Sequence, residues 1–142
     1  ARSRGLGDVY KRQVMKYLLD THSLIWFFAG HPNLSNKIRE IMEDDNHQKL
    51  ISLVSVWEMG IKQSKGKFNL SLPLEDYINN KIKLEDFDLL PIKLNHVSLI
   101  TSLPFHHNDP FDRLLIAQSI IENIPILSKD IAFDAYDVNR LW

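Results

Sequence analysis

Short apolar runs alternate along this chain with helix-forming stretches, and acids fall at the junctions between them; no other feature constrains the fold as much. "KYLLD" (16–20) reads as a buried strand. "THSLIWFFAG" follows as a short helix that Thr21 or Ser23 can cap and Gly30 can end. "NLSNKIREIMEDD" offers Ser35 as N-cap, with Ile38, Ile41 and Met42 as its buried stripe. "KLISLVS" (49–55) is a second strand, and "VWEMGIKQSKGK" (56–67) a helix that decays at Gly66. "LPLEDYINNKI" begins a helix with Pro73 near its first turn. "FDLLPI" (87–92) and "IPILSKD" (124–130) are the third and fourth strands. Between them lie a helix over 95–104, stopped before Pro104, and one from Pro110 to about Asn123. The pattern predicts the α/β class: a three-layer α/β/α domain around a central, mostly parallel sheet.

The first 14 residues, "ARSRGLGDVYKRQV", do not share this pattern. They carry Arg2, Arg4, Lys11 and Arg12 against Asp8, with little apolar periodicity, and no apolar centre of the kind a signal peptide needs. We read 1–14 as a non-native or disordered leader and 15–142 as one domain. Setting the leader aside leaves 13 basic against 17 acidic residues, formally −4 where the whole chain is −1. Such a domain does not attract nucleic acid by bulk charge; handling a polyanion would require bound cations or a local basic patch. The chain has no cysteine, which removes disulfides and thiolate metal sites and fits a reducing compartment. No apolar run approaches the roughly 18 residues needed to span a bilayer.

Four acids occupy successive junctions. Asp20 closes the first strand, Glu58 follows the second in the first turn of its helix, Asp112 opens the helix before the fourth, and Asp130 lies just past it. In open parallel sheets, ligands bind outside the carboxyl ends of strands. Each acid also has a purely structural reading. Asp20 can cap the helix that follows. Asp109, Pro110 and Asp112 fit N-cap, N1 and N3 of a capping box. Glu58 has Lys62 one turn on, as in an ordinary surface ion pair, and Asp130 can cap a turn. Taken together, however, four convergent carboxylates would repel unless a divalent cation sat among them. Hard oxygen donors without cysteine point to Mg²⁺ or Mn²⁺.

"LLDTHSLIW", "SLVSVWEMGIK", "HNDPFDRLLIAQS" and "ILSKDIAFDAYDV", in that order, resemble PIN-domain ribonucleases, and among them the VapC-type toxins of type II toxin–antitoxin pairs. The resemblance spans essentially all of 15–142; its most specific part is "HxxDPFDRLLIAQ" followed by "SxD". It implies that Asp20, Glu58, Asp112 and Asp130 are the catalytic, metal-binding acids. Ser128 would support the site, and Asp109 would serve the helix or stand behind the metal ligands. It further implies metal-dependent hydrolysis of RNA leaving a 5′-phosphate, a cognate antitoxin covering the acidic groove, a homodimer and a cytoplasmic setting.

Lys62 and Lys65 share a helical face with Glu58 and, with Lys67 and Arg113, are candidates to contact flanking RNA phosphates; a solvated lysine face is the alternative. Trp26, Phe27 and Phe28 read as core or dimer contacts ahead of base-stacking groups. His106 and His107 read as part of a polar loop ahead of substrate contacts. Two other functions compete: a receiver-like domain gathering acids around Mg²⁺, and a non-catalytic binding domain whose acids only cap helices. A receiver would need an acidic pair after the first strand and an aspartate closing the third, and the chain has neither.

Overall fold

The computed structural model describes residues 15–142, so the leader reading of 1–14 lies outside the described residues. Five strands form one sheet in the order β3-β2-β1-β4-β5: β1 (Lys16–Leu19), β2 (Gln48–Ser52), β3 (Phe87–Leu90), β4 (Ile126–Leu127) and β5 (Arg140–Leu141). Every pairing is parallel. The six α-helices are α1 (Thr21–Ala29), α2 (Asn36–Glu43), α3 (Leu53–Ser64), α4 (Leu74–Glu85), α5 (Leu94–Ile100) and α6 (Pro110–Glu122). A 3₁₀ turn covers Ile131–Ala135.

Alternation along the strands divides the interior into two cores. Leu18 and Leu50 join α6 residues Leu114–Ala117, Phe133 and Tyr136 on one face of the sheet. Tyr17, Leu19 and Ile51 join Leu24 of α1, Ile38 and Met42 of α2 and Ile78 of α4 on the other. With both faces covered, the expected three-layer α/β arrangement is the one observed. Phe27 and Phe28 pack on Phe87 at ring-centroid distances of 5.9 and 5.7 Å, so they belong to the second core. The strand order departs from the 2-1-3-4-5 order of receiver domains. Here β3 is an edge strand that runs out at Leu90 before Pro91, with no acid at its end.

Element limits shift from the sequence reading in ways that matter for the site. The first strand stops at Leu19. Of the three caps the sequence offers, Asp20 rather than Thr21 or Ser23 is the N-cap of α1, accepting the Ser23 N–H. The second strand stops at Ser52, three residues short of its expected end at Ser55; the Ser52 hydroxyl accepts the Val54 N–H, and α3 starts at Leu53. Glu58 therefore lies in the second turn of α3, not the first. The helix expected over 95–104 is confined to Leu94–Ile100, and the third and fourth strands shorten to four and two residues. The terminal "DVNRLW", given no strand from sequence, supplies β5. Gly30 ends α1 at φ 63°, a left-handed conformation that costs glycine little.

The strand order reverses direction at β1, whose neighbours are β2 and β4. Chains leaving β1 and β4 thus diverge over a crevice at the carboxyl edge of the sheet.

Candidate metal centre

Asp20 leaves β1 directly into that crevice and is only 6% exposed. Its Oδ1 accepts the Ser23 N–H at 2.8 Å and its Oδ2 the Ser128 hydroxyl at 2.6 Å. Ser128 follows β4, so this bond ties together the ends of the two central strands. Burial pushes the Asp20 carboxyl above its ordinary range, against the pull of the hydrogen bonds from Ser128 and Ser23. Each carboxylate oxygen carries two lone pairs, so one acceptor position on each remains.

Glu58 reaches the crevice from α3. Thr21 Oγ1 donates to Glu58 Oε1 at 2.7 Å and shares a 3.0 Å hydrogen bond with Ser55 Oγ, while Lys62 Nζ lies 3.4 Å from Oε2. Glu58 is thus oriented by the residue next to Asp20 in sequence. Its side chain is 12% exposed, well below that of an ordinary surface pair.

At the start of α6 the two aspartates separate in role. Asp109 Oδ1 accepts the N–H groups of Phe111 and Asp112 at 2.8 and 3.4 Å, as an N-cap does. A capping box would return the Asp112 carboxylate to the Asp109 N–H. That N–H donates instead to His107 Nδ1 at 3.1 Å. The box stays open, and Asp112 turns to the crevice, where its Oδ2 meets His107 Nε2 at 2.9 Å. Because Nδ1 accepts from a backbone amide, Nε2 is the protonated nitrogen of the ring. Asp130 Oδ2 lies 3.8 Å from the same Nε2, and Asp130 Oδ1 caps the 3₁₀ turn through the Ala132 N–H. One ligand atom from each of His107, Asp112 and Asp130 can be chosen so that all lie within 4.8 Å of one another.

Electrostatics bring the remaining acids into this group. The Asp112 carboxyl is pushed up to about 7, first by burial and then by the negative charges of Asp109, Asp20, Glu58 and Asp130. Four acids spread over 110 residues of sequence therefore act on one carboxylate. His107 and Lys62 are the described side chains that offset them at contact distance. Hard oxygen donors with acceptor positions to spare, gathered closely enough to act on the Asp112 carboxyl, suit a divalent cation of the magnesium or manganese kind.

Two sequence readings change here. Arg113 does not face solvent as a phosphate contact: it is 4% exposed. Its Nη1 donates to Pro104 O and the Tyr136 hydroxyl, and its Nη2 to Ile100 O and Leu103 O. Three of these four contacts go to carbonyls at the end of α5 and in the turn after it, which commits both Nη atoms of the guanidinium to the fold. His107, read as loop, instead touches two of the acids. Tyr136 was not singled out. Its hydroxyl accepts the N–H groups of His106 and His107 at 3.0 Å each and donates to Pro104 O at 2.7 Å, which fixes the loop that carries His107. Thr21 was weighed only as a cap. Lys62, Lys65 and Lys67 do share a groove of about 520 Å³ with Glu58, Asp109 and Phe111, beside the acids.

A PIN domain family model matches residues 17–139. No curated relative matches at a significant level. Among solved structures, VapBC2 from Rickettsia felis bound to a DNA fragment from its promoter is similar at TM-score 0.67 and 17% identity, over 89% of this chain and 98% of that one. A toxin–antitoxin complex from Klebsiella pneumoniae is similar at 0.60 and 16%, over 89% and 96%. FitAcB from Neisseria gonorrhoeae is similar at 0.61 and 15%, again over 89% and 96%. At such identities the likeness is one of fold.

Proposed function

Since this chain belongs to the PIN domain family, we propose that it is a Mg²⁺- or Mn²⁺-dependent endoribonuclease, the VapC-type toxin of a toxin–antitoxin pair. The observation that carries the reading is the convergence on Asp112, whose pKa is raised to about 7 first by burial and then by its neighbour Asp109 and by Asp20, Glu58 and Asp130 from distant segments. Acids that only capped helices would have no reason to share one crevice. Fold likeness to toxins solved with their antitoxins supports the role and the partner.

In this reading Asp20, Glu58, Asp112 and Asp130 hold the cation. When bound, the ion supplies an acidified water and positive charge for the scissile phosphate. The residues of the chain do the rest. Ser128 and the Ser23 amide keep Asp20 in one orientation before any ligand arrives. Thr21 and Lys62 aim Glu58. Glu58 or Asp130, the latter exposed at the rim, accepts the proton that a nucleophilic water gives up. His107 Nε2–H steadies Asp112 and faces Asp130. Lys62, Lys65 and Lys67 give the RNA backbone a cationic flank that the net charge of the domain does not provide. The antitoxin would cover this groove, the protein would work as a homodimer, and its setting would be the cytoplasm. No helix among the described residues is long and apolar enough to cross a membrane.

The test is cleavage of total RNA by the purified chain with Mg²⁺, followed by mapping of fragment ends. The reading requires new 5′-phosphate ends that vanish with a chelator and in Asp20→Asn. Cleavage persisting undiminished in Asp20→Asn would contradict it.

A further inference from the structure

The acidic crevice has two flanks of different chemistry. One is the lysine groove. The other is a groove of about 300 Å³, lined by Asp20, His22, Trp26, Lys129 and Asp130. That volume lies at the small end of ligand-holding clefts, roughly 300–1,000 Å³. Its aromatic wall is fixed in advance: Trp26 stacks on His31 (5.8 Å between centroids, 25° between planes) and meets Trp142 edge-on at 6.0 Å. His22 lies 5.8 Å from Trp26, tilted 46°, and is exposed. Lys129 is exposed as well and has no hydrogen bond or ion pair to any described residue, although two acids line the same groove.

We propose that this groove is a nucleobase subsite. It takes one base of a single RNA strand, next to the cleaved phosphate, against Trp26 and His22, with Lys129 on the adjoining backbone. The inference rests on the ribonuclease reading and adds a position for the substrate. Every base has an apolar π-face, so an aromatic wall binds single strands with little regard to sequence, and a neighbouring cation neutralises the phosphate that comes with the base. The opposite flank offers three lysines and a single aromatic ring, Phe111, so it is the more cationic and the less aromatic of the two and suits backbone. Asp20 and Asp130 belong both to this groove and to the acidic crevice. Its occupant is therefore continuous with whatever chain brings phosphate to the acids. That favours RNA over a side chain of a protein partner.

The test is fluorescence anisotropy with the full chain, calcium in place of magnesium, and a short labelled oligouridylate. A matching set of strands carries one abasic nucleotide stepped along the sequence. One abasic position should weaken binding to the wild-type chain about tenfold, the size expected for one lost base–aromatic stack. That penalty should largely disappear in Trp26→Ala, which removes the larger ring, and shrink in His22→Ala, which leaves Trp26 alone to stack. His22 is exposed, so its variant answers the question even where loss of Trp26 disturbs the packing on His31 and Trp142. Uniform binding of all abasic strands by the wild-type chain would overturn the subsite and leave the ribonuclease reading standing. So would an abasic penalty unchanged in both variants. If the variants lose capture of the antitoxin but keep the abasic penalty, the groove is a protein contact and the proposal is wrong. Failure of the wild-type chain to bind or cut any RNA would sink the ribonuclease reading, and the subsite with it.

Discussion

Asp20 at the end of β1 has each carboxylate oxygen engaged by a hydrogen-bond donor and is almost sealed from solvent. Asp112 at the start of α6 meets His107 at 2.9 Å, while burial and then four other acids raise its pKa to about 7. The two carboxylates serve one crevice but are secured differently. Asp20 is oriented by the N-terminus of α1, which follows it in sequence, and by Ser128 after the neighbouring strand β4, so its orientation is set before a cation arrives. Asp112 is placed by its helix but left electrostatically unfavourable. The strand ends form a rigid half of the site, and the α6 end stores the repulsion that a cation relieves.

The strongest way to break this contrast is Asp20→Asn. Asparagine caps a helix as well as aspartate, so the melting temperature should hold. Losing a charged ligand should nonetheless lower RNA cleavage by about a thousandfold, in keeping with several kcal/mol of lost charge stabilisation. Comparable loss of fold and activity would mean that Asp20 is structural. Next comes Arg113→Leu, which removes the donors to Ile100 O, Leu103 O and Pro104 O. Pro104 O keeps the Tyr136 hydroxyl and Ile100 O the Leu103 N–H, but Leu103 O loses its guanidinium partner, which should destabilise the chain by about 1–3 kcal/mol, measured by urea unfolding. A phosphate contact at that position would instead show unchanged stability and weaker RNA binding.

Ser128→Ala sharpens the rigid half. Outer-shell partners of metal ligands typically account for about 10–100-fold in affinity or activity, and a Mn²⁺ titration should register a loss of that order. The α6 half is tested by pH with a chelator present. The folded-state pKa of Asp112 is raised from 3.8 to about 7. Between those values the folded chain holds a proton that the unfolded chain has released. Stability from this group therefore falls as pH rises, and the full penalty is in force above about 7. Asp112→Asn should be more stable than the wild type above that pH by about 1–2 kcal/mol, a few degrees in Tm, and lose the advantage near pH 4. Smallest is Lys65→Ala. Removing one phosphate contact should flatten the slope of log affinity against log salt by about 0.7, with little change in stability.

The sheet was readable because β1 and β2 are apolar runs bounded by caps, and period-two burial then sorts Leu18 and Leu50 to one face and Tyr17, Leu19 and Ile51 to the other. The acids were readable because they stand where strands end. "SLVSV" was not, since a short apolar run has no period that separates strand from helix, and the Ser52 hydroxyl decides the matter through a single cap bond. β5 was missed because two residues, Arg140 and Leu141, carry no local signal; only pairing with β4 makes them a strand. Arg113 looked like a surface cation because its acceptors lie 9 to 13 residues upstream, in the turn after α5. His107 was hidden for a related reason. Its contact with Asp112 depends on which nitrogen the Asp109 amide engages, and that follows from loop geometry fixed by Tyr136, 29 residues away.

The central claim is that these acids meet around a divalent cation, and calorimetric titration with Mn²⁺ just below pH 7, repeated in two buffers of different ionisation enthalpy, tests it most directly. Binding should occur with release of a proton from Asp112, and Asp112→Asn should lose both the proton release and most of the affinity. No measurable binding, or binding identical in Asp112→Asn, would contradict it.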